Sequence, residues 1–320
     1  MSTTPDLITP HGSTPTGVFA DAAGYLSAVE AHDPAAKQSA FGAGGVPNYI
    51  SLGAGVQSSV MALMAAHGEL PRVEAAIFAD TQAEPESVMR WLSLLEGFIA
   101  AAKHPFPVIR VTAGSLVEGS LRIGTREDGR KWIKGHVPAF VKKPDGSMGP
   151  LWRTCTADYK LAPLLRKQRE LAGVKRGQKT VALNSWIGIS IDEAHRMKPS
   201  REPWARNVWP LIEAGMKRYD CLRWMEAKGY PKPPRSACTF CPFHSDAEWH
   251  RLKTQELDAF AHAVAYERRL QAVSAETGCH AGRVTLHRSG ANIDEVDFDP
   301  SGTQGQQEFF GNECEGMCGV

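Results

Sequence analysis

The 320-residue chain has no run of about 18 consecutive apolar residues, which excludes a membrane-spanning helix. Nor does it open on a cationic segment followed by a long apolar stretch, so no secretory leader is expected. A cytoplasmic chain with no membrane partner follows as the default. Net charge is nearly absent at +1, so no global field draws a nucleic acid or a lipid surface. Internal repeats and low-complexity arrays are missing as well. Cysteine is present seven times; in a reducing compartment this favours a metal site or redox chemistry over a disulfide framework.

What the chain does hold is unevenly distributed. Between residues 121 and 180 there are 15 Lys and Arg against 5 Asp and Glu, whereas from 291 onward 7 acidic residues stand without a Lys or Arg. Such a basic middle suits phosphates or the acidic tail, or else forms solvated faces. Residues 1–45 are rich in Ser, Thr, Pro, Gly and Ala and read as a flexible leader with one short helix near 22–31. Short apolar runs then follow as "NYISLG", "AAIFAD", "PVIRVT" and "SWIGIS" (185–190), with helical patterns between them such as Val88, Leu92, Leu95 and Ile99 on one face after Pro85. Strand and helix in alternation imply crossover connections, hence an α/β, doubly wound, mostly parallel sheet with ligands at the carboxyl ends of its strands. The stretch "KKPDGSMG" reads as a hairpin turn inside a basic flap, and a helix is expected from Asp246 to about Gln271. The expected organisation is a leader (1–45), a nucleotide-binding domain with a cysteine site (46–250), and a helical extension ending in an acidic, cysteine-containing tail (251–320).

Two features carry chemistry. The first is the hinge "YISLGAGVQSS", where Gly53 and Gly55 stand between a strand and a helix. Glycines there let an anion approach bare backbone, and free amides at the helix start aim at it. Common strand-end glycine and serine capping would look the same. The hinge has neither a Walker lysine nor dinucleotide spacing. The second feature is Cys238-Thr239-Phe240-Cys241 in a proline-rich loop. A C-x-x-C can chelate a metal, hold two corners of an iron–sulfur cluster, act as a redox dithiol or be structural. No second pair repeats the spacing, so a closed site needs distant ligands, and Cys155 in "RTCTADYKLAP" is the obvious third.

These residues resemble the phosphoadenosine phosphosulfate reductase-like branch of the adenine nucleotide alpha hydrolases. Gly53-Ala54-Gly55-Val56-Gln57-Ser58 fits the frame of its "SGGxDS" pyrophosphate loop, with Gly53, Ala54 and Gln57 as departures. "FADTQAEPE" is similar to "DTGxExPE" at Asp80, Thr81 and Glu84. "GISIDEAHR" resembles "GxRxxESxxR", with Gly188 and Arg196 in place and Ser190 where an arginine is usual. "WPLIEAGMKRYDCLRWM" resembles "YPLxxWxxxDVWxYL", which sets Cys221 at a core-facing valine position. Iron–sulfur members, the assimilatory reductases and the sulfur-transfer subunit of DNA phosphorothioation among them, carry "CTxxxKxxP" followed by C-x-x-C; Cys155, Lys160, Pro163, Cys238 and Cys241 fit it.

The resemblance implies ATP, with Mg, at Ser51, Gly53, Ala54, Gly55, Gln57, Ser58, Asp80, Thr81, Gly188 and Arg196. It implies a [4Fe–4S] cluster, or in the alternative Zn, on Cys155, Cys238 and Cys241. Lys160 and Arg196 are the expected catalytic cations. Cys314 and Cys318 in "GNECEGMCGV" compete for three roles: fourth ligand, nucleophilic or persulfide thiol, and inert tail. His244 is a lesser candidate for the fourth ligand. The implied function is ATP-dependent sulfur transfer to a nucleic acid or nucleotide-like substrate, with a sulfur donor such as a cysteine desulfurase as partner. The alternatives are a thioredoxin-dependent sulfonucleotide reductase and a zinc-stapled, non-catalytic nucleic-acid-binding module.

Overall fold

The computed structural model of the chain describes residues 45–133, 137–143, 145–280 and 282–298. The leader with its expected helix and the tail with Cys314 and Cys318 lie outside the described residues. Five short strands form one parallel sheet, each following the last through a helical crossover: β1 (Asn48–Leu52), β2 (Ala75–Asp80) and β3 (Val108–Thr112), then, after the flap region, the strands at Leu183–Ile187 and Ala205–Val208. With the flap strands β4 (Ile123–Thr125), β5 (Lys131–Ile133), β6 (Phe140–Lys142) and β7 (Met148–Pro150) between them, the last two are β8 and β9. The spatial order is β3-β2-β1-β8-β9, all parallel. Chain order runs outward in both directions from β1, so the crevice between β1 and β8 is the topological switch point, where α/β sheets open a ligand site.

Alternate residues of each strand go to opposite faces, and both faces are covered. On one side Ile50, Leu52, Ala76, Phe78, Trp186 and Val208 pack against α1 (Val56–His67) and α2 (Glu86–Ala100), with Cys221 and Met225 of a later helix. On the other, Tyr49, Ala75, Ile77, Leu183 and Ala205 meet Leu164 and Val174. Val88, Leu92, Leu95 and Ile99 are buried on one face of α2, as their spacing predicts. Pro85 occupies the position just before that helix.

A second core lies beyond the strand ends. It joins Leu116 and Val117 of α3 (Leu116–Ser120), Val137, Ala139 and Val141 of the flap, and Tyr159 of a π-helical turn (Thr156–Leu161) that leads into α4 (Ala162–Leu171). Trp249, Tyr266 and Leu270 complete it from the C-terminal helices. After α5 (Pro210–Glu213) and α6 (Arg218–Ala227), the helix expected over 246–271 is in fact two, α7 (Asp246–Gln255) and α8 (Leu257–Thr277). Glu256 leaves helical geometry between them, at φ −131° and ψ 65°. The "KKPDGSMG" stretch is the turn of the β6–β7 antiparallel pair, with Gly146 supplying φ +82° at the turn. A final strand, β10 (Arg283–Thr285), pairs with β6, and the buried Glu267 carboxylate holds the chain that follows by accepting from the Leu286 and Ile293 amides at 2.7 and 3.0 Å. Strand β8 ends at Ile187, so the "SWIGIS" expectation ran three residues too far: Gly188 to Ser190 are loop. No helix among the described residues is long and apolar enough to cross a membrane.

Candidate nucleotide and thiol site

The glycine hinge is the turn from β1 into α1, and three neighbours press on it. Ala54 takes the left-handed backbone conformation at φ +59°, the position where the resembled loop has glycine. Gly188, at the end of β8, lies so close that a Cβ there would sit 2.8 Å from the Ser58 amide nitrogen and 2.9 Å from its Cα. Glycine at 188 is therefore what lets the switch-point loops touch. Ser236 donates from its hydroxyl to the Gly53 carbonyl. Among the described residues no side chain caps the N-terminus of α1, and its first turn holds no acidic residue. Its first amides thus retain their capacity to meet an anion.

Gln57 explains itself structurally. Its amide donates through Nε2 to Glu193 Oε2 at 3.1 Å and accepts through Oε1 from Arg218 Nη1 at 2.8 Å. An aspartate could not donate to Glu193 and would set two like charges together. Ser190 joins the same cluster, 3.4 Å from Gln57 Nε2. Arg196 reaches the loop through Glu193: its Nη1 lies 3.0 Å from Glu193 Oε1, with both side chains largely buried. Apart from that ion pair, the terminal nitrogens of Arg196 make no hydrogen bond among the described residues.

The thiols gather on the adjacent rim. Cys155, Cys238 and Cys241 line one small cavity together with Thr81, Leu116, Val137, Thr156, Lys160 and Phe240. Cys155 stands just before the π-helical turn, and the extra residue per turn brings Lys160 to the same wall. Lys160 Nζ pairs with Glu84 Oε1 at 3.3 Å in a setting almost closed to solvent. Cys238 Sγ is 3.3 Å from Thr81 Oγ1 and 3.8 Å from Glu84 Oε1. Burial, and secondarily the Glu84 carboxylate, push the Cys238 thiol well up, while Lys160 opposes them. The C-x-x-C loop is tied to the strand ends twice more: the Thr239 amide donates to the Ala83 carbonyl at 2.9 Å, and Ser236 binds the glycine turn.

His244 donates from Nε2 to the Cys238 carbonyl at 3.0 Å, and burial pushes its pKa down to about 3, so the ring is neutral; its Nδ1 makes no hydrogen bond among the described residues. Among the described residues no three His, Cys, Asp or Glu side chains form a group set to hold a single metal ion. Ser51 is bound into the sheet, its hydroxyl 3.1 Å from Ser185 Oγ, which in turn accepts from Gln168 at 2.9 Å. Asp80 accepts from the Gln82 amide at 2.7 Å at the end of β2. Two residues of the site were not foreseen from sequence, Ser236 and Arg218; Glu193, a candidate for orienting its loop, bridges Gln57 to Arg196. Ser236 lies in a loop, which carries no periodic signal, and Arg218 opens α6 with nothing local to mark it.

Comparisons with protein-family models, curated proteins and solved structures find no match to this chain.

Proposed function

We propose that the protein is an ATP-using sulfurtransferase of the phosphoadenosine phosphosulfate reductase-like type, acting on a nucleic acid or nucleotide-like substrate. The observation that supports it most is the lining of one cavity by Cys155, Cys238 and Cys241, on a loop bound to the glycine turn by Ser236. Nucleotide phosphates would lie against the bare amides that begin α1, in the β1–β8 crevice, with Arg196 as the nearby cation. There an oxygen of the substrate would attack the α-phosphorus of ATP and release pyrophosphate, leaving an adenylated oxygen that sulfide can displace together with AMP.

The donor set suits a cluster better than a single ion. Zinc would draw its thiolates onto one centre at about 2.3 Å, a grouping absent among the described residues. An iron–sulfur cluster would take thiolates from separate chain segments, and three thiols from two segments line this cavity. Cys155, Cys238 and Cys241 would hold such a group, which would supply the sulfur for transfer. Lys160 would offset the negative charge of the thiolates, and the apolar wall of Leu116, Val137 and Phe240 excludes water.

Anaerobic purification tests this reading. Iron with acid-labile sulfide is expected in the wild type and its loss in Cys155→Ala and Cys238→Ala. ATP with a nucleic-acid acceptor should yield pyrophosphate, while adenylyl sulfate should yield no sulfite. A colourless protein with stoichiometric zinc, or sulfite release, overturns it.

A further inference from the structure

A second cavity, of about 210 Å³, opens beside the thiol cavity and shares Val137 with it. Ser120, Ile133, Leu151, Trp152, Tyr266, Leu270 and His280 line the rest. An engineered apolar cavity of about 150 Å³ takes up benzene, so this one accommodates a heteroaromatic ring. Its walls fit such a guest. Trp152 is 84% exposed, an unusual state for the largest apolar side chain, and it presents a free aromatic face at the cavity's edge.

The deeper part is polar and rigid. Ser120 donates its hydroxyl hydrogen to the Val117 carbonyl at 3.0 Å, so Tyr266, 2.9 Å away, donates to Ser120 and keeps its own oxygen as an acceptor. The Tyr266 ring stacks on Phe240 at 3.9 Å and 14°. That phenylalanine sits between the two cysteines of the C-x-x-C, so the floor of the second cavity is braced against the thiol loop. His280, with Nδ1 taken by Ser274 at 2.8 Å and its pKa lowered by burial, adds a neutral ring. The β4–β5 hairpin, whose Ile133 lines the cavity, exposes Arg122, Arg126, Arg130 and Lys131; Arg130 pairs with Asp128 at 2.6 Å and Lys131 with Glu276 at 2.7 Å.

We propose that this cavity receives a nucleobase turned out of a single-stranded nucleic acid, stacked on Trp152 and read by the Tyr266–Ser120 hydroxyl pair, with the basic hairpin on the phosphates. A base has a π-face for the tryptophan and ring donors for the tyrosine oxygen, and its strand supplies phosphates for Arg122 and Arg126 of the hairpin. The proposal rests on the reading of a nucleic-acid acceptor given above, and it identifies where that acceptor enters: the guest would lie one wall away from Cys155 and Cys238.

The test is binding of short fluorescent single-stranded DNA and RNA oligonucleotides to the full chain without ATP, by anisotropy, beside the same strands made with abasic sugars. Trp152→Ala should weaken the intact strands about tenfold, the worth of one base–aromatic stack, and leave the abasic strands unchanged. Trp132→Ala, on the hairpin but away from the cavity, should do neither. Leu270→Trp, which fills the cavity, should mimic Trp152→Ala if its melting temperature shows it folded. Equal affinity for intact and abasic strands, indifference to Trp152→Ala, or no binding of any strand overturns base capture. Because the assay needs neither ATP nor a cluster, its failure is distinct from failure of the iron and pyrophosphate assays.

Discussion

Lys160 Nζ lies 3.3 Å from Glu84 Oε1, and the same carboxylate oxygen faces the Cys238 thiol at 3.8 Å. The pair joins the π-helical turn after Cys155 to the loop after β2, so one ion pair links two of the three chain segments that surround the thiols.

Removing one partner is therefore costly. Lys160→Met leaves the Glu84 carboxylate buried without its counter-charge and should destabilise the fold by about 3–5 kcal/mol. The double variant Lys160→Met with Glu84→Gln should recover most of that. Urea denaturation of the wild type, Lys160→Met, Glu84→Gln and the double variant checks it; a double variant no better than Lys160→Met would show that the ion pair is not the cause.

Ala54 holds a left-handed backbone at φ +59°. That conformation costs a non-glycine residue about 1–2 kcal/mol, while glycine loses about 0.4–1 kcal/mol through the unfolded chain. The first term is larger, so Ala54→Gly should stabilise by about 0.5–1 kcal/mol, read as a rise in the urea midpoint at unchanged slope.

Gly188→Ala is expected to act in the opposite direction. The new methyl would meet the Ser58 backbone at 2.8 Å, and neither strand end nor helix start can yield cheaply. A loss of about 1–3 kcal/mol follows from overpacking. If the crevice is the nucleotide site, calorimetry should also show weaker ATP binding; unchanged affinity would put the nucleotide elsewhere.

Cys221 is buried in α6, and burial above all, with Asp192 behind it, pushes its thiol from 9.0 up to about 12. The folded state thus holds the proton more tightly than the unfolded one. Its contribution to stability is complete below about pH 9 and is lost as pH rises toward 12, by about 1.4 kcal/mol per pH unit. Cys221→Val should flatten that alkaline decline while packing normally, measured as unfolding free energy between pH 8 and 11.

The parallel sheet was legible because strands buried on both faces must be apolar along their length, and "YISL" or "AAIFA" can satisfy little else. Val88, Leu92, Leu95 and Ile99 announced their helix for the same reason: a repeating burial demand leaves a repeating pattern. Glu256 left none. The break between α7 and α8 is a single residue leaving helical dihedrals, and the residues around it remain good helix formers. Gln57 was legible as a departure from a resembled motif, yet its reason, a simultaneous bond to Glu193 and Arg218, needed residues more than 130 positions away.

By itself the chain determined the order of its strands and crossovers, the glycine turn and the presence of thiols in two separate segments, since each is encoded within a few neighbouring residues. Only the tertiary structure decided that Cys155 shares a cavity with Cys238 and Cys241, that Lys160 meets Glu84, and that Tyr266 stacks on Phe240 beneath a second cavity. Those contacts join residues far apart along the chain, and such a meeting is set by how two cores pack against one sheet edge, which no local window of sequence records.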